Sequence, residues 1–150
     1  MSKKPKNIFV QGAIPVEKIA TSIAHHQVKT NIGAHDIFLG QIRADLVGEK
    51  SVKAIEYTAH EEMALTLMHE IREETFEKFN ITCMHVYHSL GKVEVGELCL
   101  FVFTSSAHRK TCQEATHFLV EEIKSKLPIF GKELIEGDTH QWKENTQFDQ

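Results

Sequence analysis

The run from Glu97 to Thr104 constrains the fold more than any other segment, because it is apolar on both of its faces. Successive side chains of a strand point to opposite faces of the sheet. One face here carries Leu98, Leu100, Val102 and Thr104, and the other carries Cys99, Phe101 and Phe103. Such a strand is typical of the centre of a sheet that is covered on both sides. The chain must therefore supply further strands, and helices to cover them.

Three segments have the sequence of helices that could pack on this sheet, and we predict them at 15–28, 60–79 and 107–127. Pro15 suits a first helical turn, and Pro128 ends the last helix. The middle helix repeats apolar side chains every three or four residues, which gives it one apolar face. These are Ala64, Leu67, Met68, Ile71, Thr75 and Phe79.

The remaining periodic segments alternate in the manner of strands. We predict strands at 8–14, 33–43, 51–59, 81–90 and 97–104, with a loop at 45–50, a turn at 91–96 and a last strand after Pro128. Strands and helices in this order predict an α+β fold, a largely antiparallel sheet with three main helices packed on it.

Size and charge indicate one domain that does not bind nucleic acid. The 150 residues form a single predicted domain, 1–150, with loose ends at 1–6 and 146–150. The net charge of −4 argues against binding to nucleic acid, which needs an excess of Lys and Arg. No apolar run is long enough for a secretory or membrane-spanning segment, so we expect a cytoplasmic protein. Cys83, Cys99 and Cys112 lack the spacing of a disulfide framework, and we expect them to be buried.

The segment Thr104-Ser-Ser-Ala-His-Arg109 joins the apolar strand to the third helix. We expect Ser105 or Ser106 to cap that helix. Because the start of a helix carries a partial positive charge, His108 and Arg109 are slightly unfavourable there unless an anion is bound. Free backbone amides, an imidazole and a guanidinium together suit a phosphate or a carboxylate. The alternative is that both side chains face solvent or pair with a nearby carboxylate.

Three lysines and one arginine are further candidates. Lys124, Lys126 and Lys132 flank Pro128 at the other end of the third helix. Cations there are explained by the helix dipole alone, although a lysine in a partly buried pocket can serve as an acid, a base or a nucleophile. Arg43 ends an apolar strand just before a loop, a common place both for ligand-binding and for solvated side chains.

The ten histidines do not indicate a metal site, because no two of them share one face at helical or strand spacing. We therefore expect neither a metal nor another cofactor.

Three separated motifs resemble those of the large subunit of molybdopterin synthase. They are Gly33-Ala-His-Asp-Ile-Phe-Leu-Gly-Gln-Ile-Arg43, Phe103-Thr-Ser-Ser-Ala-His-Arg109 and Lys124-Ser-Lys-Leu-Pro-Ile-Phe-Gly-Lys-Glu133, followed by an acidic loop and Trp142. The family's patterns are Gly-Ala-x-x-x-Phe-x-Gly-x-x-Arg, Ser-x-His-Arg at a helix start, and a lysine before Pro-x-Trp-Lys-Lys-Glu. The resemblance spans about residues 8 to 145, which is nearly the whole chain.

This resemblance implies an α/β-hammerhead-like fold and a homodimer with two small ubiquitin-like subunits, a heterotetramer. The reaction it implies is the transfer of sulfur from the thiocarboxylated Gly-Gly tail of the small subunit to cyclic pyranopterin monophosphate, which gives molybdopterin. Carried over by motif position, Arg43, His108 and Arg109 would hold the precursor. We also place Lys126 among the substrate-binding residues. Lys124 would lie beside the thiocarboxylate, stabilising negative charge and relaying protons.

One departure from the family pattern affects the catalytic set. Phe130 replaces the tryptophan and Gly131 replaces the first lysine after it. Lys132 could act in place of that lysine if Gly131 alters the local backbone. The alternative function is a non-catalytic anion-binding or scaffold member of the same fold.

Overall fold

A computed structural model describes residues 5–137 and 139–142. Of the predicted loose ends, residues 1–4 and 146–150 lie outside this described part. Three helices are present in it: α1 at Val16–His26, α2 at Glu61–Lys78 and α3 at Arg109–Lys126. No helix among the described residues is long and apolar enough to cross a membrane.

The helices begin and end close to the predicted positions. Pro15 directly precedes α1, and the backbone is extended again at Leu127, before Pro128. The apolar stripe predicted for α2 is the buried one, since Ala64, Met68, Ile71 and Thr75 are its buried residues. In α3 the buried residues are Cys112, Ala115, Thr116, Leu119 and Ile123, which again follow the three- and four-residue spacing.

Eight strands are found in the described residues. They are β1 at Phe9–Gln11, β2 at Ala34–Gln41, β3 at Leu46–Val47, β4 at Lys50–Ala59, β5 at Cys83–Glu94, β6 at Leu98–Ser106, β7 at Ile129–Ile135 and β8 at Thr139–Trp142. The main order across the sheet is β2-β6-β5-β4-β7-β8, with β1 beside β5 and β3 beside β4. Among these described strands, only β1 pairs in parallel, and the other pairs are antiparallel. The predicted α+β class with a largely antiparallel sheet and three main helices is confirmed.

Four details differ from the sequence prediction. The predicted loop 45–50 contains the short strand β3, and the segment after Gly137 forms β8. β5 continues to Glu94 instead of ending at Leu90, because its last residues pair with β4. β6 continues to Ser106, because β2 pairs with it along its full length. These extensions depend on partner strands that are distant in sequence, which local periodicity does not contain.

The core lies on both faces of β6, as its sequence requires. On one face Leu100 and Val102 pack in a large cluster with Met68 and Ile71 of α2 and Leu119 of α3. On the other face Phe101 and Phe103 pack with Ile14 against α1. Both phenylalanines are completely buried, and each such side chain contributes about 1.5–3 kcal/mol of hydrophobic stabilisation. The three cysteines are buried, as predicted, and none of them is in a disulfide.

Candidate functional site

The junction between β6 and α3 is shaped by Ser106. Its hydroxyl donates to the His108 carbonyl at 2.6 Å and accepts from the Cys112 amide at 3.0 Å, so it satisfies one of the open amides of the first turn. The residue that immediately precedes the helix is His108, which makes no side-chain cap. Ser105 lies within β6, and its buried hydroxyl has no hydrogen-bond partner in the described structure. The prediction that Ser105 or Ser106 is the N-cap is therefore wrong: that position is His108, because β6 continues to Ser106, and Ser106 contacts the first turn from two residues upstream.

The N-terminal end of α3 presents His108 and Arg109 to solvent. The first turn of α3 contains no acidic residue, and neither side chain forms an ion pair within the described residues. Gly33 is packed against this junction: its amide donates to the Ser106 carbonyl at 3.0 Å, and a Cβ at Gly33 would overlap the Ala107 carbonyl oxygen. The first sequence motif thus begins with glycine because only glycine leaves room for the loop that carries His108.

The C-terminal end of α3 borders a cavity of about 350 Å³, which we call the Lys124 cavity. Side chains and backbone from α3, β4, β5, β6 and β7 line it: Tyr57, His88, Cys99, Leu100, Ile123, Lys124, Ser125, Leu127, Ile129, Phe130 and Gly131. Within the described part of the chain, Lys124 forms no ion pair with a carboxylate. Its charge is therefore available to an anion that enters the cavity.

Two lining residues, Tyr57 and His88, were not found by the sequence reasoning. Their rings are 5.0 Å apart and nearly perpendicular. Burial, and secondarily Cys99, raises the pKa of the Tyr57 hydroxyl far above its ordinary value. Burial also lowers the pKa of His88 to about 4, the Lys124 charge acts in the same direction, and a hydrogen bond to Ser89 opposes both. Both groups are consequently neutral at pH 7.

Gly131 stands at the position of the family's lysine, and neighbouring side chains fill the space beside it. A Cβ here would lie 3.0 Å from Ile55 Cγ2 and 3.1 Å from Tyr57 Cε1. Gly131 pairs in regular register with Tyr57, and the ladder is shifted only between Val52 and Ala54. The local backbone is therefore an ordinary strand, and the space beside Gly131 belongs to the Tyr57 ring.

Lys132 lies on the other face of β7 from Gly131, because neighbouring strand residues point in opposite directions. Its ammonium is 3.2 Å from Glu56 and 5.9 Å from the centre of the Trp142 ring. It does not line the Lys124 cavity. The change of backbone that would bring Lys132 to the position of the missing lysine is not present.

Lys126 and Arg43 are also paired with carboxylates at the surface. Lys126 contacts Glu122 at 2.6 Å, and this hydrogen bond raises its pKa. Arg43 contacts Asp45 at 3.2 Å. Arg43 follows the last residues of β2, which pair with Leu98 at the start of β6. Arg43 therefore lies at the same end of the sheet as the Lys124 cavity.

The predicted residues thus form two groups rather than one. Lys124, Lys126, Lys132 and Arg43 are placed around one end of α3, and His108 and Arg109 are at the other. α3 has 18 residues, which at 1.5 Å per residue gives a length of about 27 Å. A single chain therefore does not bring His108 and Arg109 to the Lys124 cavity.

The described residues contain no group of three or more His, Cys, Asp or Glu side chains that could hold a metal. A larger cavity of about 740 Å³ lies between α2 and β5, but none of the six predicted site residues lines it.

Comparison with known proteins identifies the family. The family model described as MoaE protein matches residues 11–126. A molybdopterin synthase catalytic subunit of Pyrococcus abyssi is 33% identical over 145 residues, which cover 92% of this chain and 90% of that protein. One from Dictyostelium discoideum is 37% identical over 118 residues, covering 77% and 74%.

Solved structures agree with the sequence comparison. Molybdopterin synthase from Staphylococcus aureus matches with a TM-score of 0.77 and 26% identity, over 91% of this chain and 95% of that one. A complex of subunits 1 and 2 of molybdopterin-converting factor from Helicobacter pylori contains the same fold, with a TM-score of 0.76 and 19% identity over 91% and 88%. These relatives favour a catalytic subunit over a non-catalytic scaffold, and they confirm the resemblance seen in the three motifs. The chain belongs to the MoaE protein family, whose members named here are catalytic subunits of molybdopterin synthase.

Proposed function

We propose that this protein transfers sulfur from the thiocarboxylated C-terminus of a small ubiquitin-like subunit to cyclic pyranopterin monophosphate, producing molybdopterin. The observation that carries this proposal is Lys124, a lysine without a carboxylate partner among the described residues, at the wall of a 350 Å³ cavity. A thiocarboxylate is an anion, and the exposed ammonium of Lys124 at the edge of the cavity attracts it. The absence of a disulfide among the three cysteines agrees with the reducing cytoplasm in which we place the reaction.

Lys124 has two roles in this proposal. Its positive charge holds the thiocarboxylate and stabilises the negative charge that develops as the carbon–sulfur bond of the donor breaks. Its N–H groups can also give and regain a proton while the sulfur moves to the precursor. Both roles need an ammonium that no carboxylate of the same chain already occupies.

The partner that we propose is a small subunit ending in Gly-Gly. The Helicobacter pylori structure holds two subunits of molybdopterin-converting factor in one complex, and one of them has the fold of this chain. A tail of two glycines has no side chains, which suits a small cavity bordered by Leu100, Ile123 and Phe130.

The precursor's phosphate would be held by His108 and Arg109, with Arg43 and Lys126 as further cationic contacts. The open amides and partial positive charge at the start of α3 suit a phosphate, and the first turn has no acidic residue to compete. Arg43 and Lys126 would have to exchange Asp45 and Glu122 for the precursor.

The length of α3 supports a homodimer in which two chains complete each site. Because His108 and Arg109 are at the opposite end of α3 from Lys124, we propose that Arg109 of the partner subunit approaches the Lys124 cavity. A symmetric dimer would then contain two identical sites, each made from both copies.

This arrangement is tested by mixing two variants, Lys124→Ala and Arg109→Ala, at a limiting precursor concentration at which each alone has little activity. In a heterodimer one site carries both substitutions and the other carries neither. Random exchange of subunits should restore about a quarter of the wild-type activity. A mixture that stays inactive, although mass spectrometry shows that heterodimers have formed, would show that each site belongs to one chain.

The reaction itself is tested by measuring molybdopterin formation from cyclic pyranopterin monophosphate and a thiocarboxylated small subunit. We expect wild-type protein to be active and Lys124→Ala to lose at least 100-fold, the order of effect of removing a positioned proton donor or charge. Lys78→Ala is the matched control, because Lys78 is also a helical lysine but pairs with Glu74 away from the cavity. Wild-type protein that binds the small subunit and forms no product would instead support the scaffold alternative.

A further inference from the structure

The polar groups of the Lys124 cavity are few, and most are already bonded. The Tyr57 hydroxyl interacts with the Cys99 thiol. The Ser125 hydroxyl donates to the Glu121 carbonyl at 2.8 Å. The lining side chains left for a bound molecule are therefore those of Lys124 and His88.

The hydrogen bonds of His88 define which of its ring nitrogens is free. Its Nδ1 lies 2.8 Å from the Ser89 carbonyl oxygen, which can only accept, so Nδ1 carries the proton. The side chain is 8% exposed, and the same burial that lowers its pKa to about 4 keeps the ring neutral. Nε2 therefore has a lone pair, and it has no hydrogen-bond partner in the described structure.

Besides the hydrogen bond to Ser89, a ring contact with Tyr57 holds the His88 ring in its orientation. The two rings meet edge to face, with their centres 5.0 Å apart and an angle of 86°. Tyr57 is in turn packed beside Gly131, where no side chain competes for the space. The cavity is thus lined by one cation, Lys124, and by one neutral ring with an unbonded nitrogen, His88.

This pair of groups matches the end of a peptide. A terminal thiocarboxylate only accepts hydrogen bonds, whereas the amide that precedes it donates one. A backbone N–H that enters a cavity without finding an acceptor loses its bond to water, so an acceptor near the anion site favours binding.

We propose that His88 is a positioning residue for the sulfur donor: its Nε2 accepts a hydrogen bond from the last backbone N–H of the small subunit's tail while Lys124 binds the terminal thiocarboxylate. This inference rests on the proposed function and adds the residue that fixes the direction of the tail. The sulfur is then held at Lys124 rather than free to rotate in the cavity.

The test removes the donor from the tail instead of from the protein. Two small subunits are made by semisynthesis with stable carboxylate ends, one ending in Gly-Gly and the other in Gly-sarcosine, which has a methyl group in place of the last N–H. Their affinities for wild-type protein are measured by calorimetry at pH 7. We expect the glycine tail to bind about 5- to 10-fold more tightly, the value of one hydrogen bond between neutral groups.

The variant His88→Phe separates the hydrogen bond from the bulk of the methyl group. Phenylalanine keeps a flat ring but has no acceptor, so the part of the glycine preference that comes from His88 should disappear. A His88→Phe protein with the wild-type preference would overturn the proposal, as would wild-type protein that binds both tails equally. Should the phenylalanine variant fail to fold, His88→Leu gives the same comparison.

Failure of this inference can be distinguished from failure of the proposed function. The binding experiment contains no sulfur and no precursor, so it reports on the tail alone. Wild-type protein that makes molybdopterin but does not discriminate between the tails would overturn only the role of His88. Wild-type protein that discriminates but makes no molybdopterin would overturn only the sulfur transfer.

Discussion

Replacement of Gly131 by alanine tests whether the Tyr57 ring occupies the position of the family's lysine. The added Cβ would lie 3.0 Å from Ile55 Cγ2 and 3.1 Å from Tyr57 Cε1. Carbon atoms in ordinary contact are about 3.5–4.0 Å apart, so both neighbours would have to move by about half an ångström. Ile55 is buried, and Tyr57 is packed against His88, so neither can move freely.

The expected cost follows from two opposing effects. Adding a carbon to a filled core costs about 1–3 kcal/mol. Gly131 does not have a left-handed φ, so alanine also restricts the unfolded chain, which stabilises the protein by about 0.4–1 kcal/mol. We therefore expect Gly131→Ala to lower the free energy of unfolding by about 1–2 kcal/mol.

Urea denaturation of the wild type, Gly131→Ala, Tyr57→Leu and the double variant measures this cost. Because leucine removes the ring that the new Cβ meets, the double variant should be about 1 kcal/mol more stable than the sum of the single changes predicts. Gly131→Ala with wild-type stability, or single effects that simply add, would refute the packing explanation for the absence of a lysine at this position.

Three further predictions concern ionisable groups. Lys132→Ala should lower turnover much less than Lys124→Ala, because Lys132 pairs with Glu56 outside the Lys124 cavity; turnover equal to wild type would remove Lys132 from the catalytic set. Arg109→Ala should weaken precursor binding by about 1.5–3 kcal/mol, the value of a charge-assisted contact to phosphate, and an affinity within about twofold of wild type would contradict the phosphate assignment. The free energy of unfolding should fall as the pH is lowered from 6.5 towards 4. His88 has a pKa of about 4 in the folded protein and an ordinary pKa of 6.5, so in this range the unfolded chain binds a proton that the folded chain does not. Urea denaturation at pH 7 and pH 4.5 should show a loss that is smaller by about 2 kcal/mol in His88→Gln than in wild type, and equal losses would show that His88 does not carry this dependence.

The fold was largely predictable because its signals are local. The alternation from Leu98 to Thr104 indicated a central strand, and the buried stripes of α2 and α3 are those that their spacing indicated. The errors were at ends: β5 runs on to Glu94 and β6 to Ser106, because β4 and β2 lie alongside and supply hydrogen-bond partners. Strand length depends on the neighbouring strand, and its identity is not contained in a local pattern.

The site was predictable only in part. The motifs marked Lys124 and Arg109, but their residue types did not show that α3, which contains both, holds them about 22 Å apart. Nor did spacing show that His26 of α1 and His85 of β5 meet, with 3.0 Å between their Nε2 atoms, since each is in a different element.

By itself the sequence determined the class of fold, the family and the cationic residues at both ends of α3. Each of these follows from residue types and from their spacing along the chain. Three properties were decided only by the tertiary structure. Of the three lysines, Lys124 borders a cavity and has no carboxylate partner in the described chain. The Tyr57 ring fills the space beside Gly131, and His88 is neutral with an unbonded Nε2. These properties depend on burial and on contacts between β4, β5, β7 and α3, which are far apart in sequence. Burial determines whether a histidine is charged, and contact with a carboxylate determines whether a lysine can bind another anion. Neither can be predicted until the positions of the strands relative to one another are known.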